Sequence, residues 1–232
     1  MTQVNIVLIG PPGSGKGTQA ARLCRHFSVP LISTGDMLRA AVAKGSPLGR
    51  RVRDAMAAGA LIDGDVMIEL VRDRLLYPDA AAGFVLDGFP RTIGQAQALD
   101  AILGERPLLL IQLVVPEAQL LRRLGRRRVC RRCQATYGAS SACHAPRCVR
   151  CGDVLITRND DAPGTIRRRL TTYAVTSEAI VGYYRERALL VSIDGSRPAN
   201  QVTASILRCV DRAACAWCKK TGVRHVEVRN RA

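Results

Sequence analysis

The sequence predicts an α/β fold: a parallel sheet with helices on both faces. Three observations carry this. Short apolar runs alternate along the chain with stretches of helical pattern, as parallel sheets require. The first run, Val4 to Ile9, leads straight into Gly10-Pro-Pro-Gly-Ser-Gly-Lys-Gly-Thr18, a glycine-rich loop followed by a helix-compatible stretch to Phe27. The 232 residues, 47% hydrophobic, are enough to bury one core that carries insertions.

The elements follow in order. The apolar run 4–9 is the first predicted strand, stopped by Gly10, and Gln19 to Phe27 has the helical pattern. Leu31 to Ser33 is a short second strand. A helix is expected over 65–76, a strand over 84–87 ending in a carboxylate, and a helix over 93–103. The apolar run 108–115 is a strand and 117–124 a helix. A long helical stretch covers 165–190, a last strand 189–193, and a last helix 200–212. Ligands of such sheets sit at the carboxyl ends of the strands, where Gly10, Thr34 and Asp87 could converge.

Two segments break the alternation. Residues 33–62 read as small helices punctuated by Gly45 and Gly49, and residues 126–161 are polar and basic. Both read as inserted lobes on a core formed by 1–32, 63–125 and 162–212. The net charge is +16, and residues 122–169 hold thirteen arginines against Asp153, Asp160 and Asp161. Beside a phosphate-binding loop, some of these arginines are expected to meet nucleotide phosphates, the rest to form a solvated surface. No apolar run approaches the roughly 20 residues of a membrane span. The N-terminal apolar stretch ends in the loop and lacks a charged leader, so no signal peptide and a cytoplasmic location are expected. Four of nine cysteines fall as Cys130-x2-Cys133 and Cys148-x2-Cys151. In a reducing compartment this spacing points to a structural Zn²⁺ held by four thiolates, with free thiols the alternative.

The glycine-rich loop supplies the first chemistry. Its glycines let backbone N–H groups point inward, the helix dipole adds partial positive charge, and Lys16 adds a full one. Gly17 stands where the general pattern wants Ser or Thr, and the hydroxyl comes one residue later at Thr18. In Phe84-Val-Leu-Asp-Gly-Phe-Pro-Arg-Thr92, Asp87 suits the hydration shell of Mg²⁺ near phosphates and Arg91 offers a bidentate fork. The plain alternative is a capping Asp87 and a surface Arg91. No glutamate adjoins Asp87 to activate a water, which favours transfer to a bound acceptor over hydrolysis.

These runs, with Ile32-Ser-Thr-Gly-Asp-Met-Leu-Arg39, resemble the signatures of the adenylate kinase family, in its bacterial form with a long lid. The resemblance spans residues 4 to about 212. It implies the P-loop nucleoside monophosphate kinase fold, with a five-stranded parallel sheet and two mobile lobes. It implies Mg²⁺-dependent transfer of the ATP γ-phosphoryl to AMP, giving two ADP. By the resemblance, Gly13, Ser14, Gly15, Lys16, Gly17 and Thr18 form the ATP phosphate loop. Thr136 and Tyr137 match lid positions near ATP, and Arg197 a basic position near its adenine. Thr34, Arg39 and the strip Ala60, Leu61, Ile62 match AMP-binding positions, as do Gly88, Phe89, Pro90 and Arg91. Gln95 matches the residue that reads adenine. Arg123, Arg127, Arg158 and Arg169 match the arginines that close on the phosphates, and Asp87, Asp160 and Asp161 match acidic positions. The partners implied are ATP, AMP and ADP, with no membrane, no nucleic acid and a monomeric chain.

Several positions depart from the family pattern. The gap of fourteen residues between the cysteine pairs is shorter than usual in zinc lids, and Cys143 and His144 within it could compete as ligands. Arg126 replaces a hinge glycine, and Ala162-Pro-Gly164 replaces an acidic stretch at the other hinge. Residues 213–232, with Cys215, Cys218 and His225, read as a loosely packed basic extension. Two other readings stand beside the first. A UMP/CMP-type kinase would generally lack the long lid. A zinc-ribbon P-loop ATPase acting on nucleic acid would leave Arg39, residues 87–91 and Gln95 without purpose, and its lid has little besides Tyr137 for base stacking.

Overall fold

The structure is a computed structural model and describes residues 4–133, 135–138, 147–187 and 190–221. In chain order the elements are β1 (Val4–Ile9), α1 (Lys16–Phe27), β2 (Leu31–Ser33), α2 (Thr34–Ala43), α3 (Pro47–Ala58), α4 (Gly64–Leu75), β3 (Gly83–Asp87) and α5 (Ile93–Leu103). There follow β4 (Leu109–Val114), α6 (Glu117–Gly125), β5 (Arg128–Cys130), β6 (Thr136–Tyr137), β7 (Leu155–Ile156), α7 (Pro163–Arg185), β8 (Leu190–Asp194) and α8 (Ala199–Thr221). Short 3₁₀ turns occupy Pro78–Ala80 and Asn159–Asp161.

Strand β1 is buried from Asn5 onward and takes the centre of a five-stranded parallel sheet ordered β2-β3-β1-β4-β8. Side chains alternate across a strand, so β1 feeds two cores at once. Val7 and Ile9 pack with Ile32, Leu86, Leu99 and Tyr184 on one face. Ile6 and Leu8 pack with Leu23, Ile193 and Ile206 on the other. Register places Leu8 beside Asp87, and Asp87 beside Ser33. The carboxyl ends of β1, β2 and β3 therefore meet at one edge, where the glycine loop begins.

That loop turns into α1 through Gly15, whose φ of 100° is left-handed and favours glycine. Between β2 and α4, α2 and α3 form a tight pair. Ser33 caps α2 by accepting from the Asp36 N–H, and Ser46 caps α3 by accepting from the Gly49 N–H, with Pro47 in the first turn. At Gly49 a Cβ would stand 2.1 Å from the Ala41 carbonyl oxygen, so only glycine lets the two backbones approach this closely.

Strands β5, β6 and β7 build a second, antiparallel sheet ordered β6-β5-β7. Arg128 pairs with Tyr137 and Cys130 with Leu155. Two predicted helix ends need correction. Helix α7 stops at Arg185, not Leu190, because Leu190 is taken into β8 beside Leu110. Helix α8 runs to Thr221 instead of ending at Arg212, since Ala-Ala-Cys-Ala continues it at little conformational cost. Among the described residues, no helix is long and apolar enough to cross a membrane.

Candidate functional site

A cavity of about 1390 Å³ opens where the strand ends converge, bounded by the glycine loop, α2, the turn after β3, α6, β6 and α7. At its floor, Lys16 Nζ folds back on its own loop. It donates to the carbonyls of Gly10 at 2.7 Å and Pro11 at 3.1 Å. Burial lowers its pKa from 10.5 to about 8; the Asp87 carboxylate opposes this, while Arg91, Arg169 and Arg127 reinforce it. Ser14, also in the loop, has a buried hydroxyl with no partner.

Asp87 ends β3 within the same cavity. Burial raises its pKa, against the pull of Lys16 and Arg91. A Cβ at Gly17 would lie 4.0 Å from Asp87 Oδ2. The loop therefore passes close to this carboxylate, and Thr18 and Asp87 line the same cavity. Burial is likewise the main influence on Arg91, lowering its pKa. The Arg91 Nε–H donates to the Gly88 carbonyl at 2.8 Å, and its backbone N–H donates to Gln95 Oε1 at 2.7 Å.

The arginines arrive already paired. Arg39 Nη2 meets Asp36 Oδ1 at 2.5 Å. Arg123 donates to the carbonyls of Gly195 at 3.0 Å and Ser196 at 3.3 Å. Arg127 engages both carboxylate oxygens of buried Asp161, with Nε to Oδ2 at 2.7 Å. Arg169 Nη1 reaches Asp160 Oδ2 at 3.0 Å and Asp161 Oδ1 at 3.2 Å. Arg158 donates to Thr136 Oγ1 at 2.9 Å, and burial, with Arg39 and Arg127 nearby, lowers its pKa to about 10. Arg197 lies on the rim with Asp194.

Most of the predicted residues line this one cavity: 13–18, Arg39, Ala60, Leu61, Ile62, 87–91, Arg123, Arg127, Thr136, Tyr137, Arg158, Arg169 and Arg197. Thr34 and Gln95 do not. Thr34 is fully buried and donates to the Asp87 carbonyl at 3.3 Å, while buried Gln95 holds the Arg91 backbone. Both stand behind the wall and shape it. Asp161 is also set back, pinning two arginines from outside. Sequence reasoning missed Asp36, Arg150, Thr172 and Thr176, which also line the cavity. Asp36 lay in a quoted motif; the others carried no pattern.

The second constellation lies in the small antiparallel sheet. The Sγ atoms of Cys130, Cys133, Cys148 and Cys151 all fall within 4.8 Å of one another. Cys130 and Cys151 are 3.3 Å apart and Cys133 and Cys148 3.4 Å, and all four are unbridged. A tetrahedral ion with sulfur at about 2.3 Å needs sulfurs about 3.7 Å apart, so the donor set fits. Burial opposes ionisation of Cys148, but hydrogen bonds with Tyr137 and from the Arg150 N–H bring its pKa down to about 6. Cys143, His144 and His225 lie outside the described residues, as do the side chains of Cys215 and Cys218.

Comparison with known proteins agrees with this geometry. The family model described as adenylate kinase matches residues 8–189. An adenylate kinase of Moorella thermoacetica is 45% identical over 214 residues, covering 90% of this chain and 99% of that protein. Those of Archaeoglobus fulgidus and Salinispora tropica are 42% and 45% identical, covering 88% and 90% of this chain and 96% and 97% of theirs. With its phosphate loop, its arginine-lined cavity and these relatives, the chain belongs to the adenylate kinase family.

Proposed function

We propose that the chain transfers the γ-phosphoryl of ATP to AMP, giving two ADP. One observation carries the reading: a single cavity joins the glycine loop at one end to Arg39, Ala60–Ile62 and Gly88–Arg91 at the other. In this reading ATP takes the loop residues 13–18, with Thr136, Tyr137 and Arg197 along its outer side. AMP takes the opposite end, with Arg39 and Arg91 on its phosphate and Gln95 and Thr34 shaping the pocket. Lys16, Arg123, Arg158 and Arg169 neutralise charge on the transferring group, and Arg127 supports the ATP side. Phosphoryl transfer needs in-line placement and charge stabilisation more than covalent help, and this side-chain set supplies both.

Thr18 and the buried carboxylate of Asp87, which line the same cavity, would hold Mg²⁺, and it would supply further neutralisation of the phosphates. The four cysteines fit a closed, structural Zn²⁺ site with no open position for substrate. Residues 33–62 and 126–161 act as lobes that close over the two nucleotides and exclude water.

A coupled assay with MgATP and each nucleoside monophosphate tests the reading. AMP is expected to be the preferred acceptor, and Lys16→Ala and Arg91→Ala should each lower kcat/KM by about 10³-fold, the scale of a lost phosphate cation. Faster turnover with UMP or CMP, or ATP turnover that needs nucleic acid and ignores AMP, overturns it.

A further inference from the structure

Strand β6 is only two residues long, yet its two side chains face different chemistry. Thr136 Oγ1 accepts from Arg158 Nη2 at 2.9 Å. The hydroxyl of Tyr137 lies 3.1 Å from Cys148 Sγ and accepts from the Val149 N–H at 3.1 Å. Both residues also line the nucleotide cavity. Around them β6 pairs with β5 through Arg128 and Tyr137, and the Cys130 N–H donates to the Ala135 carbonyl at 3.0 Å. One short strand thus touches a metal-ligating sulfur, a cavity arginine and the cavity wall.

We propose that Tyr137 is a positioning residue that couples occupancy of the tetra-cysteine site to ATP binding. The inference rests on the functional reading above, which places ATP and a metal at these two sites. A bound metal would tie the Cys148 sulfur to the other three and so fix the atom that lies 3.1 Å from the Tyr137 hydroxyl. The Tyr137 hydroxyl then keeps a fixed partner, and the ring and Thr136 are held in the position that presents Arg158 to the cavity. Without metal nothing ties the four sulfurs together, and the hydroxyl loses its fixed partner. ATP packed against Tyr137 restrains the same strand from the other side. Linkage makes the coupling reciprocal: whatever factor the metal adds to ATP affinity, ATP adds to metal affinity.

The test uses the full-length zinc-loaded protein without AMP, so that no transfer occurs. Zinc transfer to a chromogenic chelator is timed with and without MgATP, in wild type and in Tyr137→Phe, which removes only the hydroxyl. Both proteins are expected to hold about one zinc per chain. MgATP should slow zinc release by about fivefold in wild type and by under about twofold in the variant. Calorimetry on wild type should give a matching rise of about fivefold in the ATP Kd on zinc removal.

Equal slowing by MgATP in the two proteins overturns the proposal. If Tyr137→Phe fails to fold or to hold zinc, the wild-type comparison decides: an ATP Kd unchanged by zinc removal overturns it. A wild-type protein that binds no zinc, or no ATP, overturns the functional reading and this inference together. Binding of both without linkage overturns this inference alone.

Discussion

Lys16 is the residue whose surroundings make the sharpest demand. Its pKa is lowered from 10.5 to about 8, with burial the main cause. Between those values the unfolded chain keeps the proton that the free fold has lost, so stability rises with pH across that window. The wild type should therefore gain thermal stability relative to Lys16→Met between pH 8 and 10.5. Bound phosphates pull the pKa back up, so MgATP binding just above pH 8 should take up a proton. Calorimetry in buffers of different ionisation enthalpy reads that uptake, and Lys16→Met should abolish it; an undiminished uptake in the variant would place the proton elsewhere. At this scale the sequence exposes side chains but few of their partners. Asp36 is legible beside Arg39, three residues along one motif. The Asp161 carboxylate that grips Arg127, and the Gly195 and Ser196 carbonyls that hold Arg123, meet them only through the fold. Thr34 and Gln95 show the converse, being legible as site residues but not as the layer behind the wall.

Among the elements, α2 and α3 are held by one close approach. Gly49→Ala would put its Cβ 2.1 Å from backbone at Ala41, which a side-chain rotation cannot relieve. The pair must separate, at a cost of about 1–3 kcal/mol. Because Arg39 rides on α2, the KM for AMP should rise several-fold while ATP affinity holds. Thermal unfolding and separate titrations of the two nucleotides check this, and an unchanged AMP response would show that the pair tolerates parting. Element limits were legible where local chemistry marks them. Helix α5 begins after Thr92, which accepts from the Gln95 N–H, and runs from Ile93 to Leu103 as the sequence predicts. The end of α7 was not, because strand pairing of Leu190 with Leu110 overrides the helical pattern. The continuation of α8 was hidden for a different reason. Its basic, cysteine-bearing tail looks unlike a core helix, although Val202, Ile206 and Val210 keep one face buried up to that point.

For the molecule as a whole, alternating apolar runs announced a parallel sheet but not its order, since β1 pairs with β3 and β4 through contacts far apart in sequence. The small sheet was less legible still: its strands are two or three residues long, too short for any period to show. It shares no strand with the large sheet. The chain leaves for it after Arg127 and returns at Asp161, and those two residues grip each other through a two-pronged ion pair. Exit and re-entry are thus fastened together at the neck. A segment fastened this way is a detachable cassette, removable from the gene without cutting any strand of the large sheet. Replacing residues 128–160 by a short glycine linker should leave a cooperatively unfolding protein that still binds MgATP. It should also turn a transferase toward an ATPase. With no cover over the phosphates, the share of ATP broken down without AMP should rise, and the ratio of AMP-independent to AMP-dependent ADP formation measures that leak. A ratio no higher than wild type would mean that the core alone keeps water away.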